Sequence, residues 1–162
     1  MTYFCEKQAR EVLAVCRQKG LLLTTVESCT GGLIAANLTD IAGSSDVFDC
    51  GFVVYSNEAK TRLVGVCAQL IKNYGAVSKE VALAMAEGGL KYSQAGIAVS
   101  VTGIAGPGGA SLDKPVGLVH CAVAYKNHKT SHTEMRFDNL DRKDIRYATV
   151  ENALRMVLKS LQ

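Results

Sequence analysis

Leu21-Leu22-Leu23-Thr24-Thr25-Val26 runs directly into Glu27-Ser28-Cys29-Thr30-Gly31-Gly32. The first half is a short apolar run ending in β-branched residues, the pattern of a buried strand. The second half is polar and closes on two glycines, which mark a tight turn. From Thr30 the pattern predicts a helix, with Leu33, Ile34, Ala36 and Leu38 able to pack inward. A strand that turns straight into a helix is the repeating step of a layered α/β domain. The turn also carries a hydroxyl at Ser28. Tyr55 and Lys60 follow within Gly51-Phe52-Val53-Val54-Tyr55-Ser56-Asn57-Glu58-Ala59-Lys60. A hydroxyl on a tight turn, with a lysine and a phenol close by in sequence, is the minimum equipment of a serine–lysine hydrolase.

Outward from that stretch, the same alternation continues. Residues 4–19 have helical spacing, with Ala9, Val12, Leu13 and Cys16 on one face and Gly20 as terminator. Gly43-Ser44-Ser45 is a turn, and 47–55 reads as a strand. Asn57 is placed to cap a short helix through Arg62. Ser78 precedes a helix to about residue 91, with Val81, Met85 and Leu90 as its apolar contribution. Residues 97–101 form a second buried strand, which leads into Thr102-Gly103-Ile104-Ala105-Gly106-Pro107-Gly108-Gly109. Residues 116–125 and 129–137 read as two further strands, a hairpin around Asn127-His128. Asp141, with Asp144 three residues on, is a capping-box variant. It opens a last helix whose stripe is Ile145, Ala153, Leu154, Val157 and Leu161. The fold class is therefore α/β: a three-layer α/β/α sandwich with a mixed, mostly parallel central sheet. No repeat, low-complexity tract or linker interrupts 1–162, which reads as one domain.

Composition excludes several functions. The 162 residues, 48% of them apolar, suit one soluble core. The net charge of +3 is spread out, without a block of five basic residues, and Trp is absent. A nucleic acid is not an expected partner. No apolar run reaches the ~18 residues of a membrane span, and residues 1–7 do not read as a secretion signal. Cys5, Cys16, Cys29, Cys50, Cys67 and Cys121 are scattered, as reduced thiols in the cytoplasm are. His128 and His132 are four apart, but in a loop and strand where that spacing does not converge. His120 lies in an apolar strand and reads as a packed or hydrogen-bonded residue, so no metal is expected. The 103–109 loop is not followed by Gly-Lys-Ser/Thr, which excludes a Walker A site.

Five stretches in order resemble one family: Glu27-Ser28-Cys29-Thr30-Gly31-Gly32, the 51–60 segment, Gly75-Ala76-Val77-Ser78, the 102–109 loop, and Lys114-Pro115-Val116-Gly117. Together they are similar to the C-terminal domain of the CinA family, which also occurs alone as nicotinamide-nucleotide amidohydrolase. The resemblance implies a three-layer fold with a mixed sheet, commonly as a homodimer. It implies hydrolysis of the carboxamide of nicotinamide mononucleotide to nicotinate mononucleotide and ammonia, in pyridine-nucleotide salvage, without a cofactor. Ser28 matches the family nucleophile. Tyr55 and Lys60 match the residues that activate it, and Thr102 and Arg142 match further positions associated with activity. Relatives often have Gly before the Asp-Arg pair, where this chain has Leu140; Val26 stands where they often have Ala. Longer relatives carry an additional N-terminal molybdopterin-binding-like domain, for which 162 residues leave no room. The alternative reading is an inactive nucleotide-binding or regulatory module of the same fold.

The chemistry sets requirements on these residues. An amide is a poor electrophile with a poor leaving group, and an acyl-enzyme divides that difficulty between two steps. Serine needs a base, and an ordinary lysine titrates near ~10.4. Lys60 must therefore have its pKa lowered by burial or a neighbouring cation. Tyr55 could relay a proton between Ser28 and Lys60 or to the departing ammonia. Backbone N–H groups of residues 29–32 are candidates for oxyanion donors, with Gly31 and Gly32 allowing close approach. The phosphate needs donors as well, for which Arg142 and the 103–109 loop, including Gly103 and Gly106, are candidates. Cys29 is a rival nucleophile. Taken singly, Ser28 reads as a helix cap, Tyr55 as a half-buried strand residue, and Lys60 and Arg142 as solvated charges.

Overall fold

A computed structural model describes residues 5–162. The elements, in chain order, are α1 (Glu6–Gln18), β1 (Leu23–Glu27), α2 (Leu33–Thr39), β2 (Phe48–Val53), α3 (Asn57–Val64), α4 (Ala68–Tyr74), α5 (Lys79–Lys91), β3 (Ile97–Gly103), β4 (Leu118–Tyr125), β5 (Ser131–Arg136) and α6 (Arg142–Ser160). A start for the first helix at Phe4 lies outside the described residues. Both apolar runs become interior strands: every residue of β1 is buried, and so is β3 up to Gly103. The sheet order is β2-β1-β3-β4-β5. β1 pairs in parallel with β2 and β3, whereas β3–β4 and β4–β5 are antiparallel. Four of the five strands thus point one way and only β4 opposes them, although the pairings divide evenly. The edge strands differ in kind: β2 alternates half-buried and exposed residues, and β5 is mostly exposed.

Helices cover both faces. On one, Ala9, Leu13, Ile34, Leu38, Ile145 and Leu154 pack on Leu23, Ile97, Val99 and Val119. On the other, Val64, Ile71, Val81 and Met85 pack on Val26 and Val54, and Ala82 and Ala86 lie with Ala122 and Ala124. Each buried Leu, Val or Ile contributes roughly 1.5–3 kcal/mol of transfer free energy. α5 comes close enough to touch backbone through Gly88 and Gly89. A Cβ on Gly88 would collide with the Val64 carbonyl at the end of α3, and one on Gly89 would lie 2.7 Å from Val26 Cγ2 on β1. No described helix is long and apolar enough to cross a membrane.

Some boundaries differ from the sequence pattern for local reasons. α2 begins at Leu33 rather than Thr30, because Gly31 (φ 60°) and Gly32 (φ 101°) take left-handed conformations that only glycine adopts freely. Ala36 is exposed. Ser56, not Asn57, caps α3, its hydroxyl accepting from the Ala59 N–H, and the helix runs on to Val64 before Gly65 stops it. α4 gave no pattern: Ile71 is its only buried residue and no side chain caps it. The Ser78 and Asp141 caps form as expected, accepting from the N–H groups of Val81 and Asp144.

Candidate active site

Ser28 follows the last residue of central strand β1, and its N–H still bonds the Val101 carbonyl at 3.1 Å. Its side chain is not the cap of α2. Glu27, fully buried, does that work. Glu27 Oε1 accepts from Thr30 Oγ1 (2.7 Å) and the Ile34 N–H (2.8 Å), and Oε2 accepts from the Ala35 N–H (3.0 Å). A carboxylate suits the positive end of a helix, and the Ser28 hydroxyl is released for another partner. Glu27→Ala leaves these donors unpaired in the interior and is expected to cost about 3 kcal/mol in chemical denaturation.

That other partner is Lys60. Ser56 caps α3, and one turn later Lys60 is carried beneath the serine, only 1% exposed. Lys60 Nζ lies 3.1 Å from Ser28 Oγ and donates to the carbonyls of Val54 (3.0 Å) and Tyr55 (3.3 Å). Among the described residues no carboxylate pairs with it. Burial lowers its pKa from the ordinary lysine value, with a smaller opposing influence from Cys29. The partners also suit the neutral form. Two carbonyls can only accept, so they occupy both N–H bonds of a neutral amine and direct its lone pair at the Ser28 hydroxyl.

Tyr55 lies just past the end of β2 and is 61% exposed, not half-buried within the strand. Its hydroxyl accepts from Arg142 Nη2 at 3.2 Å, and its carbonyl is one of the Lys60 acceptors. Among the described residues no hydrogen bond joins the phenol to Ser28 or Lys60, and the direct Ser28–Lys60 contact needs no relay between them. Arg142, the first residue of α6, also donates through Nη1 to the Gly106 carbonyl (2.7 Å). Thr102, almost fully buried, donates to the Ala76 carbonyl (2.8 Å).

Ser28, Tyr55, Lys60, Thr102, Gly103, Gly106 and Arg142 line one cavity of about 250 Å³. Gly31 and Gly32 do not line it; the Gly31 N–H is bonded to the Ser28 carbonyl at 3.1 Å. These two glycines shape the turn instead. Cys29 does line the cavity, and among the described residues its N–H has no acceptor beyond its own thiol. The N–H groups of Gly106, Gly108 and Gly109 have no acceptor among the described residues either, and all three glycines line the cavity.

Two residues were missed by sequence reading. Asn57 lines the cavity although its spacing suggested only a cap. Arg146 donates through Nε to the Cys29 carbonyl (3.1 Å) and through Nη2 to the Thr30 carbonyl (2.9 Å), tying the serine turn to α6. Its one signal is its place four residues after Arg142, on the same helix face.

Cys29 is 6% exposed, and burial is the main cause that pushes its thiol up to about 12. A neutral buried thiol is a weak nucleophile, so Cys29→Ala is expected to keep turnover within about threefold of the unaltered chain. His132 Nε2 meets His120 Nδ1 at 2.9 Å, and His128 stacks on Tyr125. Among the described residues, no group of three His, Cys, Asp or Glu side chains could hold a metal ion.

The sequence matches the family model for the CinA C-terminal domain over residues 5–161. The chain belongs to that family. It is 46% identical over 154 residues to the nicotinamide-nucleotide amidohydrolase PncC of Enterobacter agglomerans, covering 93% of each chain. It is 51% identical over 150 residues to a putative competence-damage inducible protein of Caldicellulosiruptor saccharolyticus. That match covers 93% of this chain but only 36% of the longer relative; other long CinA relatives are likewise spanned over little more than a third of their length. Among solved structures, the competence/damage inducible protein CihA of Agrobacterium tumefaciens superposes with a TM-score of 0.97 at 50% identity, over the whole of both chains. A CinA superfamily protein of Klebsiella pneumoniae gives 0.91 at 31% identity, over 96% of each chain. The α/β architecture is that of the CinA structures.

Proposed function

We propose that this CinA-family chain is an amidohydrolase that converts nicotinamide mononucleotide and water to nicotinate mononucleotide and ammonia through a Ser28 acyl-enzyme. The observation that carries this reading is the 3.1 Å contact between Ser28 and a buried lysine that pairs with no carboxylate among the described residues. The relative from Enterobacter agglomerans, whose name specifies a nicotinamide nucleotide, supports the substrate.

Neutral Lys60 takes the hydroxyl proton as Ser28 Oγ attacks the carboxamide carbon. The Cys29 N–H, next to Ser28 in the chain, serves as a donor for the oxygen that becomes negative, and such a donor is typically worth roughly 3–4 kcal/mol of barrier. Lys60 returns the proton to the nitrogen, which leaves as ammonia. A water then attacks the nicotinoyl ester, passing a proton to Lys60. Lys60 gives that proton to Ser28 Oγ as the ester bond breaks, and the acid product loses its own proton to solvent and leaves as the carboxylate. Tyr55 and Arg142, bonded to each other, orient the substrate at the mouth of the cavity.

Incubation with nicotinamide mononucleotide, with ammonia and nicotinate mononucleotide both quantified, tests the reaction. Equal amounts of the two products are expected. Thermal stabilisation by the mononucleotide without ammonia would instead favour a binding module.

A further inference from the structure

We infer that the substrate's phosphate binds outside the catalytic cavity, in a cleft at the start of α6 where Lys143 and Arg146 favour phosphorylated over unphosphorylated nucleosides; this rests on the amidase reading above. The catalytic cavity, at about 250 Å³, falls below the roughly 300–1,000 Å³ of pockets that enclose a whole drug-sized ligand. A nucleotide whose carboxamide reaches Ser28 must therefore extend beyond it. Two larger clefts adjoin. One, of about 430 Å³, shares Asn57 with the catalytic cavity and carries Arg62 and Lys72 against Glu58. The other, of about 730 Å³, shares Ala105 and Arg142 and carries Arg142, Lys143 and Arg146 against Asp141.

Charge separates the two. Two cations face one carboxylate in the first cleft, and three face one in the second. The Asp141 carboxylate is also engaged by its own helix, accepting from the Asp144 N–H at 2.8 Å. Arg142 stands between cavity and cleft, held by the Gly106 carbonyl and the Tyr55 hydroxyl. Arg146 is held by two neutral carbonyls, which leave its charge uncompensated, and Nη1 has no partner among the described residues. Lys143 forms no ion pair among the described residues; its Nζ lies 5.7 Å from the Tyr147 ring centre. Pro107 and Val116 give the cleft an apolar wall suited to the face of a ribose. Of the two clefts, this one offers a dianionic phosphate the larger excess of positive charge.

Calorimetric binding to the Ser28→Ala protein tests this without turnover, using nicotinamide mononucleotide and nicotinamide riboside as probes. Adding Lys143→Glu is expected to weaken the mononucleotide about tenfold and leave the riboside within about twofold, because only the former carries the phosphate. Lys72→Glu, in the other cleft, is expected to change neither. Lys143→Met, expected to weaken the mononucleotide about threefold, serves if the charge reversal disturbs folding. The inference is overturned if the mononucleotide does not bind, if neither Lys143 variant weakens it, if both probes weaken equally, or if Lys72→Glu gives the loss. Phosphate-dependent binding with no ammonia from the unaltered chain would sink the amidase reading and leave the subsite standing.

Discussion

Ser28→Ala is expected to lower kcat for ammonia release at least about 10³-fold, while nicotinamide mononucleotide still binds. The substitution removes the hydroxyl that contacts Lys60 and leaves the surrounding contacts intact. The turn is held from elsewhere: Glu27 anchors Thr30 and the start of α2, and Arg146 holds the carbonyls of Cys29 and Thr30. The variant should therefore fold and bind like the original. Steady-state ammonia assays paired with calorimetry check both halves. If Ser28→Ala retains more than a tenth of the rate and Cys29→Ala loses it, the nucleophile is the thiol.

Lys60→Met should lose activity on a similar scale, about 10³-fold, since among the described residues no other base contacts Ser28 Oγ. Lys60→Arg is not expected to restore it, because a guanidinium stays protonated. In the unaltered enzyme, kcat/KM should rise with pH until it passes the lowered pKa of Lys60 and then level off. A profile flat from mildly acid to alkaline pH, with chemistry rate-limiting, would remove lysine from the base role. Stability should also rise with pH, but over a window that begins where the activity levels off. The folded pKa lies below the ordinary value of 10.5. Between those two values the unfolded chain binds more protons than the folded one, so stability rises with pH across that window. Below it, the buried charge is a full liability. Lys60→Met should accordingly melt higher than the original at neutral pH, and the gap should close as the pH climbs towards that ordinary value. A protein keeps such a lysine for chemistry rather than for stability.

The interior strands were legible because burial on both faces leaves a mark in composition. The apolar runs ending at Val26 and Val101 could hardly be anything else. The Ser78 and Asp141 caps were legible because each bonds an N–H only three residues on. The start of α2 was not, since its cap comes from Glu27, seven residues before Ile34, across a turn built on two left-handed glycines. α4 has only one buried side chain and so no periodicity to read. At the site, Ser28 and Lys60 were suggested as a pair by a hydroxyl on a tight turn with a lysine close by in sequence, and the family resemblance made that reading specific. A lysine among Asn57, Glu58 and Arg62 has the local sequence of a solvated helix face, and its burial comes from packing that no short window contains. Arg146 had only its spacing from Arg142 to mark it, because its partners lie more than a hundred residues away.

The glycine pair on α5 bears on how the reacting atoms keep their separation. Gly88 rests on the end of the helix that carries Lys60, and Gly89 rests on Val26, two residues ahead of Ser28. Neither glycine lines the catalytic cavity, yet together they act as a spacer whose thickness is one backbone. A single added methyl at either place would press against the segment that bears Lys60 or Ser28, so on the proposed mechanism a lesion remote from substrate would reach the reaction through that spacing.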